Sequence, residues 1–166
     1  MWLETVMPES IALLNQSVAD ELQAVHQYMY FHFHLADQGY ELLARLFKKT
    51  AIVEMGHVEV LAERILFLKG EIEMQASSKV EKITDPVAIL TKAIEMERTS
   101  ARDYNLAAQK CGGAADAASK LIFESLVRDE EGHQDQFDKQ LDNVKRFGAA
   151  YLALQSITAP KSTTQE

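Results

Sequence analysis

Apolar residues recur every three or four positions in four long segments, the period of a helix with one face in a core. The segments span residues 9–36, 41–69, 86–110 and 114–147. In the second segment, the apolar face is formed by Leu43, Phe47, Ala51, Val58, Leu61, Ile65 and Leu68. The pattern predicts four long helices that bury these faces against one another.

Residues that favour helix ends divide the four segments. Residues 37–39 (DQG) end the first, and 111–113 (CGG) are expected to end the third. Asp85 followed by Pro86 is typical of an N-cap and a first helical residue. Gly148 follows the last segment as a plausible C′ glycine.

The lengths of the connections predict the topology. Short links join the first two segments and the last two, so each pair should be an antiparallel hairpin. The polar connection 71–85 is long enough to cross the length of the molecule. The predicted fold is therefore an all-α four-helix bundle with one long crossover. We expect residues 149–157 to form a short fifth helix, residues 1–158 to form one domain and residues 159–166 to form a disordered tail.

Composition narrows the class of function. The chain has 166 residues, 47% of them apolar, a formal charge of -8 and a pI near 5.1. An acidic chain without a basic stripe is unsuited to nucleic acid, and no segment is apolar enough for a membrane span. The single Cys111 excludes an internal disulfide and a CxxC metal site. We expect a cytoplasmic protein.

Each predicted helix carries a glutamate within its apolar face. These residues are Glu21, Glu54, Glu97 and Glu130. His57 and His133 each follow one of them by three positions and therefore share its face. On the third helix Glu95 is an alternative, but the stripe favours Glu97. Glutamates off the stripes, namely Glu59, Glu63, Glu124 and Glu131, are expected to be solvated.

Four carboxylates in one small core require positive charge, because an unpaired buried carboxylate costs several kcal/mol or becomes neutral. Arg64 is the nearest basic candidate on the stripes. Metal ions supply the charge most directly, and oxygen and nitrogen donors without thiolate favour iron over structural zinc. One Glu from each of two helices plus Glu-x-x-His from each of the other two is the donor set of ferritin-like di-iron proteins.

Longer strings around these residues resemble the bacterioferritins, the haem-containing branch of the ferritin family. The strings are 20–22 (DEL), 54–57 (EMGH), 63–70 (ERILFLKG) and 128–133 (RDEEGH). The glutamates are separated by 33, 43 and 33 residues (21 to 54, 54 to 97, 97 to 130), as in that family, which again favours Glu97. The resemblance extends over about residues 10–157.

This resemblance implies a ferroxidase that stores iron. Fe(II) would be oxidised by dioxygen or hydrogen peroxide at a di-iron site and deposited as a ferric mineral. The implied iron ligands and catalytic residues are Glu21, Glu54, His57, Glu97, Glu130 and His133, with Glu54 and Glu130 as bridges. Tyr28, seven residues after Glu21, is either a hydrogen-bond or electron donor beside the site or a core tyrosine. The implied assembly is a cage of about two dozen subunits built from dimers, with a ferredoxin-type reductant for iron release.

Met55 lies inside the EMGH string, where the family's methionine binds haem b from both subunits of a dimer. One residue past Glu54, it points about 100° away from the metal site, which suits an external interface. Some bacterioferritins have a His and an acidic residue where this chain has Lys49 and Val53. We therefore expect no accessory iron site of that kind.

Two other functions are compatible with the same residues. One is a di-iron or di-manganese peroxidase or oxidase that stores nothing, although the single cysteine excludes the four-cysteine site of rubrerythrin. The other is a haem-binding or structural bundle whose carboxylates bind buried water. The mass of the native assembly separates a storage cage from a smaller enzyme, and a visible spectrum detects haem.

Overall fold

The structure is a computed structural model that describes residues 7–158, and within this range every regular element is a helix. The elements are α1 (Pro8–Asp37), α2 (Glu41–Phe67), α3 (Pro86–Gly113), α4 (Ala117–Phe147) and α5 (Ala149–Thr158). This confirms the predicted all-α fold with four long helices and a short fifth one. The predicted tail, 159–166, lies outside the described residues.

Several helix ends follow the sequence signals. The Asp85 carboxylate accepts a hydrogen bond from the Ala88 N–H at 2.9 Å and caps α3. Gly148 follows α4 with a φ of 68°, a left-handed conformation that favours glycine. The second helix ends at Phe67, two residues before the predicted end, and Lys69 itself has a φ of 64°.

The end of α3 differs from the prediction. Residues 111–113 were expected to stop the helix but remain helical, since glycine lowers helix stability by only about 1 kcal/mol. The chain instead turns at Ala115, which has a φ of 59°. Asp116 then caps α4 by accepting the Ser119 N–H at 3.1 Å, so α4 begins at Ala117 rather than 114.

The connection 71–85 runs along α1 as an extended strap held by amide side chains. Asn15 donates to its first carbonyl at 2.9 Å, and Gln38 donates to its next-to-last carbonyl at 2.9 Å. Between them, buried Gln27 donates to the Glu81 carbonyl at 2.9 Å and accepts the Glu81 N–H at 2.8 Å. The connection therefore crosses the length of the bundle, which confirms the predicted crossover and makes α3 antiparallel to α1.

The helices pack as two hairpins, α1 with α2 and α3 with α4, joined by contacts of α1 with α3 and α2 with α4. Their buried side chains form two apolar clusters. The first cluster, which we call the Phe47 cluster, includes Tyr28, Phe31, Phe47, Leu90 and Phe137. The second, the Phe123 cluster, includes Leu14, Val18, Leu61, Ile65 and Phe123. Along every long helix, the buried glutamate lies between the two clusters.

The fifth helix closes one end of the bundle. Leu152 is buried in the Phe47 cluster. The Tyr151 hydroxyl accepts from the Asn143 amide at 3.0 Å and donates to Gln140 at 3.2 Å, which fixes α5 against α4. Neither α5 nor any other helix between residues 7 and 158 combines the length and apolarity that a membrane span requires.

Candidate metal centre

The residues predicted from the stripes converge on the layer between the two apolar clusters. All six are buried, namely Glu21, Glu54, His57, Glu97, Glu130 and His133. Glu97 is 1% exposed, whereas the side chain of the alternative, Glu95, is 70% exposed beside Lys92. The stripe therefore identified the inward-facing glutamate of α3 correctly.

The donor atoms of the six residues form two overlapping groups within the described part of the chain. One group is Glu21, Glu54, His57 and Glu130, and the other is Glu54, Glu97, Glu130 and His133. In each group the donor atoms lie within 4.8 Å of one another. Glu54 and Glu130 belong to both groups. This geometry suits two adjacent cations with two shared carboxylates.

Several donor atoms of this cluster are buried without a hydrogen bond. They are Glu54 Oε1 and Oε2, Glu97 Oε2, Glu130 Oε1 and His133 Nδ1. His57 Nδ1 is 2.8 Å from Glu54 Oε2 and His133 Nδ1 is 3.1 Å from Glu54 Oε1, yet neither contact has hydrogen-bond geometry. Such orphaned atoms cost about 1–3 kcal/mol each. Bound cations would satisfy them together, so the residues fit a di-metal group.

The electrostatics show how the layer is neutralised by protons when no cation is bound. Burial raises the pKa of Glu21 to about 8, and the Glu54 charge adds to that shift. Burial alone would raise the pKa of Glu54, but the His133 and His57 imidazoles lower it to about 2. Burial opposes protonation of His133, yet the Glu54 and Glu97 carboxylates raise its pKa to about 10. The same balance raises the pKa of His57, so both imidazoles act as cations.

Arg64 does not supply the positive charge of this layer. Its guanidinium donates to Asp116 at 2.7 Å and to the Ser119 hydroxyl at 2.9 Å. These contacts hold α2 against the start of α4, away from the four clustered glutamates. The basic candidate from the sequence is therefore used for helix packing.

Two tyrosines orient the outer glutamates. Tyr28, predicted beside the site, donates its hydroxyl hydrogen to Glu97 Oε1 across the bundle. Tyr104, which was not predicted as a site residue, donates to Glu21 Oε1. Burial, and next the charge of the acceptor carboxylate, raise the pKa of each tyrosine well above its ordinary value. Both hydroxyls therefore remain protonated donors.

These pairs reveal an internal repeat with an interval of 76 residues. It relates Glu21 to Glu97, Tyr28 to Tyr104, Glu54 to Glu130 and His57 to His133 (21 to 97, 28 to 104, 54 to 130, 57 to 133). Because α1 and α3 are antiparallel, each tyrosine reaches the glutamate of the other hairpin. The equal Glu-to-Tyr spacing in 21–28 and 97–104 is the sequence signal that could have identified Tyr104.

Asp129 is a further polar residue that sequence reasoning missed. Its Oδ2 lies 3.1 Å from His57 Nε2, on the side of the ring away from the carboxylates. The side chain of Asp129 is 48% exposed, so it reaches His57 from the edge of the bundle. Nothing in the local spacing indicated the contact, because the partners lie on different hairpins.

A cavity of about 250 Å³ adjoins the centre. Its inner wall is formed by Tyr28, Glu97 and Glu130, and its outer wall includes Ser77 and Ser78 of the strap. Two of the clustered glutamates therefore line this cavity.

Comparison with known proteins assigns the family. A sequence profile described as Ferritin-like domain matches residues 11–147, which include all six clustered residues. The bacterioferritin of Rhodobacter capsulatus is 35% identical over 87% of this chain and 89% of its own. That of Desulfovibrio desulfuricans is 34% identical over 86% of this chain and 80% of its own. This chain belongs to the bacterioferritin family.

Solved bacterioferritins have the same fold. The X-ray structure of the Desulfovibrio desulfuricans protein, which shows its di-iron site in different catalytic states, matches with a TM-score of 0.91 and 31% identity over 98% of this chain and 95% of that one. The Rhodobacter capsulatus structure has a metal-free dinuclear site and its haem iron in a crystallographic special position. It matches with a TM-score of 0.87 and 32% identity over 94% of this chain and 97% of that one.

Met55, the residue that the bacterioferritin resemblance connects with haem, lies on the outside of the bundle. It is 41% exposed, and Ile52 and Leu66 on the same face of α2 are also exposed. A thioether among exposed apolar side chains is typical of a surface that another molecule covers. Lys49 and Val53 are exposed as well, and neither offers the imidazole or carboxylate of an accessory iron site.

Proposed function

We propose that this bacterioferritin-family chain stores and detoxifies iron as a ferroxidase, oxidising Fe(II) to Fe(III) at the six-residue cluster. The observation that supports this centre best is the pair of overlapping buried donor groups that share Glu54 and Glu130. A purely structural carboxylate layer would not leave five side-chain atoms of these six residues buried without a hydrogen bond.

Each of the six residues would have a role in holding the two irons. Glu54 and Glu130 would be shared between them, because each belongs to both donor groups. His57 and His133 would bind through Nδ1, the ring atom that faces the carboxylates. Glu21 and Glu97 would each bind one iron, held in place by Tyr104 and Tyr28, respectively. All six are thus both metal ligands and catalytic residues.

Two bound Fe(II) ions would supply two electrons as they become Fe(III), and these electrons with two protons from solvent would reduce dioxygen to hydrogen peroxide, or hydrogen peroxide to two water molecules. The protein holds both irons at once, so the two electrons are available together. The tyrosines keep the outer carboxylates aligned during the charge change, and the two apolar clusters exclude bulk water from both ends. The cavity under the strap gives Fe(II) and the oxidant a route to Glu97 and Glu130.

Haem b is the second cofactor in the proposal, with Met55 as an axial ligand from each of two subunits. Soft thioether ligation suits haem iron, and a two-fold axis brings two copies of one residue together. The exposed Met55 on an apolar face of α2 fits this role. Replacing Met55 by Leu should remove the haem absorbance of the purified protein without slowing Fe(II) oxidation.

The assembly proposed is a cytoplasmic cage of 24 subunits built from dimers, with a ferredoxin-type reductant that releases the stored iron. One domain, residues 1–158, provides the cage wall. Native mass spectrometry tests the assembly directly. A dimer or smaller species that retains rapid oxidation would favour the non-storage peroxidase or oxidase.

The ferroxidase centre is tested by adding Fe(II) to the apo protein in air. Replacing Glu130 by Ala should abolish rapid oxidation, since it removes a shared ligand from both groups. The neighbouring Glu131→Ala is the matched control, because Glu131 is exposed and off the centre. Equal oxidation rates in the two variants would exclude Glu130 as a bridge.

A further inference from the structure

The two imidazoles of the centre differ in what holds their outer nitrogen. Both present Nδ1 to the carboxylates, His57 at 2.8 Å from Glu54 and His133 at 3.1 Å from Glu54. Nε2 of His57 lies 3.1 Å from Asp129. Every carboxylate contact of His133 in the described chain involves Nδ1, so its Nε2 has no such partner.

The internal repeat identifies the cause of this difference. Asp129 directly precedes Glu130, and the equivalent position in the other hairpin directly precedes Glu54 (129 and 53, the same interval of 76). That position is Val53, an exposed apolar residue that cannot accept a hydrogen bond. The centre is therefore symmetric in its six donors and asymmetric in the support of its histidines.

A carboxylate on the outer nitrogen changes how well an imidazole binds metal. When a metal ion displaces the Nδ1 proton of His57, the hydrogen bond from Nε2–H to Asp129 keeps the remaining ring proton on Nε2 and leaves Nδ1 facing the cation. The same bond fixes the ring orientation. His133 has to adopt the correct tautomer and orientation as the metal binds. Loss of such an outer partner typically weakens metal binding about 10- to 100-fold.

We propose that Asp129 is a positioning residue that makes the half-site of Glu21 and His57 the tighter one, so that the first cation binds there. The second cation then binds beside His133, the less supported half. This inference rests on the proposed function for the identity of the centre. It adds the order in which the two half-sites bind cations, and it attributes that order to the difference between Asp129 and Val53.

Cobalt(II) titration of the apo full-length protein tests the order without iron oxidation. Two Co(II) ions should bind per chain in two steps, visible in the d–d absorption, with affinities that differ about tenfold or more. Asp129→Leu should weaken the first step by that factor and merge the two steps. Val53→Asp, which places a carboxylate at the position equivalent to Asp129 in the internal repeat, should strengthen the second step.

Single-site variants assign the effect to the correct histidine. In a His133→Ala background, Asp129→Leu should weaken the remaining Co(II) site about tenfold or more. In a His57→Ala background, the same change should leave the affinity unaltered, because its partner is gone. An equal loss in both backgrounds would show a general effect of charge and would overturn the proposal.

Asp129→Asn separates positioning from charge. The amide oxygen still accepts the His57 Nε2–H, so this variant should retain most of the affinity and the wild-type Co(II) spectrum. A loss as large as that of Asp129→Leu would overturn the positioning role. Two equal Co(II) steps in the unmodified protein would overturn this inference alone, whereas no Co(II) binding would also overturn the proposed centre.

Discussion

The apolar clusters and the acidic layer between them are held together by different forces. In the Phe47 cluster, the rings of Phe47 and Phe137 stack at 4.8 Å with an interplanar angle of 17°, and both are fully buried. In the acidic layer, buried donor atoms lack hydrogen bonds, and the neighbouring carboxylates raise the pKa of both imidazoles against the effect of burial. The apolar clusters at the two ends of the bundle therefore stabilise the fold. The acidic layer between them lowers the stability of the metal-free protein and provides the donor atoms for metal.

The largest effect that tests this comparison is the loss of an aromatic ring from one end. Phe47→Ala removes a fully buried side chain and leaves a cavity, so the free energy of unfolding should fall by about 3–5 kcal/mol. Chemical denaturation of the apo protein measures the change. At temperatures where the variant remains folded, it should still bind two Co(II) ions.

Phe123→Ala provides the matched change at the opposite end, in the Phe123 cluster. It should cause a loss of similar size and likewise retain two Co(II) ions. If either variant folds but has lost the metal stoichiometry, the clusters and the acidic layer are not separable as described.

A substitution within the acidic layer should have the opposite effects: it should raise the stability of the apo protein and impair metal binding. Glu130 Oε1 is buried without a hydrogen bond, and burial raises the pKa of this carboxyl well above its usual range. Glu130→Leu should therefore raise the stability of the apo protein by about 1 kcal/mol. Wild-type protein should gain about 2.7 kcal/mol from Co(II) at 100 times its Kd, and the variant should lose most of this gain.

Thermal unfolding with and without Co(II) measures both parts of that prediction. A Glu130→Leu protein that is strongly destabilised when apo would show that the carboxyl is part of the packing. One that keeps the full Co(II) stabilisation would show that Glu130 is not shared between the cations.

A further test of the acidic layer is the pH dependence of apo stability. His133 has a pKa of about 10 in the fold against an ordinary 6.5, so its stabilising proton is fully present below pH 6.5 and lost towards pH 10. Glu21 acts in the same direction, because its pKa of about 8 against 4.5 disfavours the fold as pH rises through that range. Stability of the apo protein should therefore decrease from pH 6 to pH 9.

Calorimetry of the apo protein at these two pH values checks the sign. His133→Leu should reduce the slope, since it removes one of the titrating groups. The Co(II)-loaded protein should show the reverse slope over the same range, because protons compete with metal for the ligands. A higher Tm for the apo protein at pH 9 than at pH 6 would contradict the assignment of charges.

Much of the architecture could be read from periodicity because each helix must bury one face. The apolar stripes located α1 to α4 and placed Glu97 rather than Glu95 in the interior. The stop predicted at 111–113 was wrong because glycine alone does not end a helix when the next cap, Asp116, lies further on. The amide pair between Gln27 and Glu81 also went unpredicted, since it joins residues 54 positions apart.

The sequence by itself determined which face of each helix is apolar and which carboxylates and imidazoles interrupt that face, because helical period is a local property. Only the tertiary structure decided what lies opposite them. Tyr104 meets Glu21 across 83 residues, and Asp129 meets His57 across 72. Such contacts depend on how the two hairpins are aligned against each other, and no single helix carries that information.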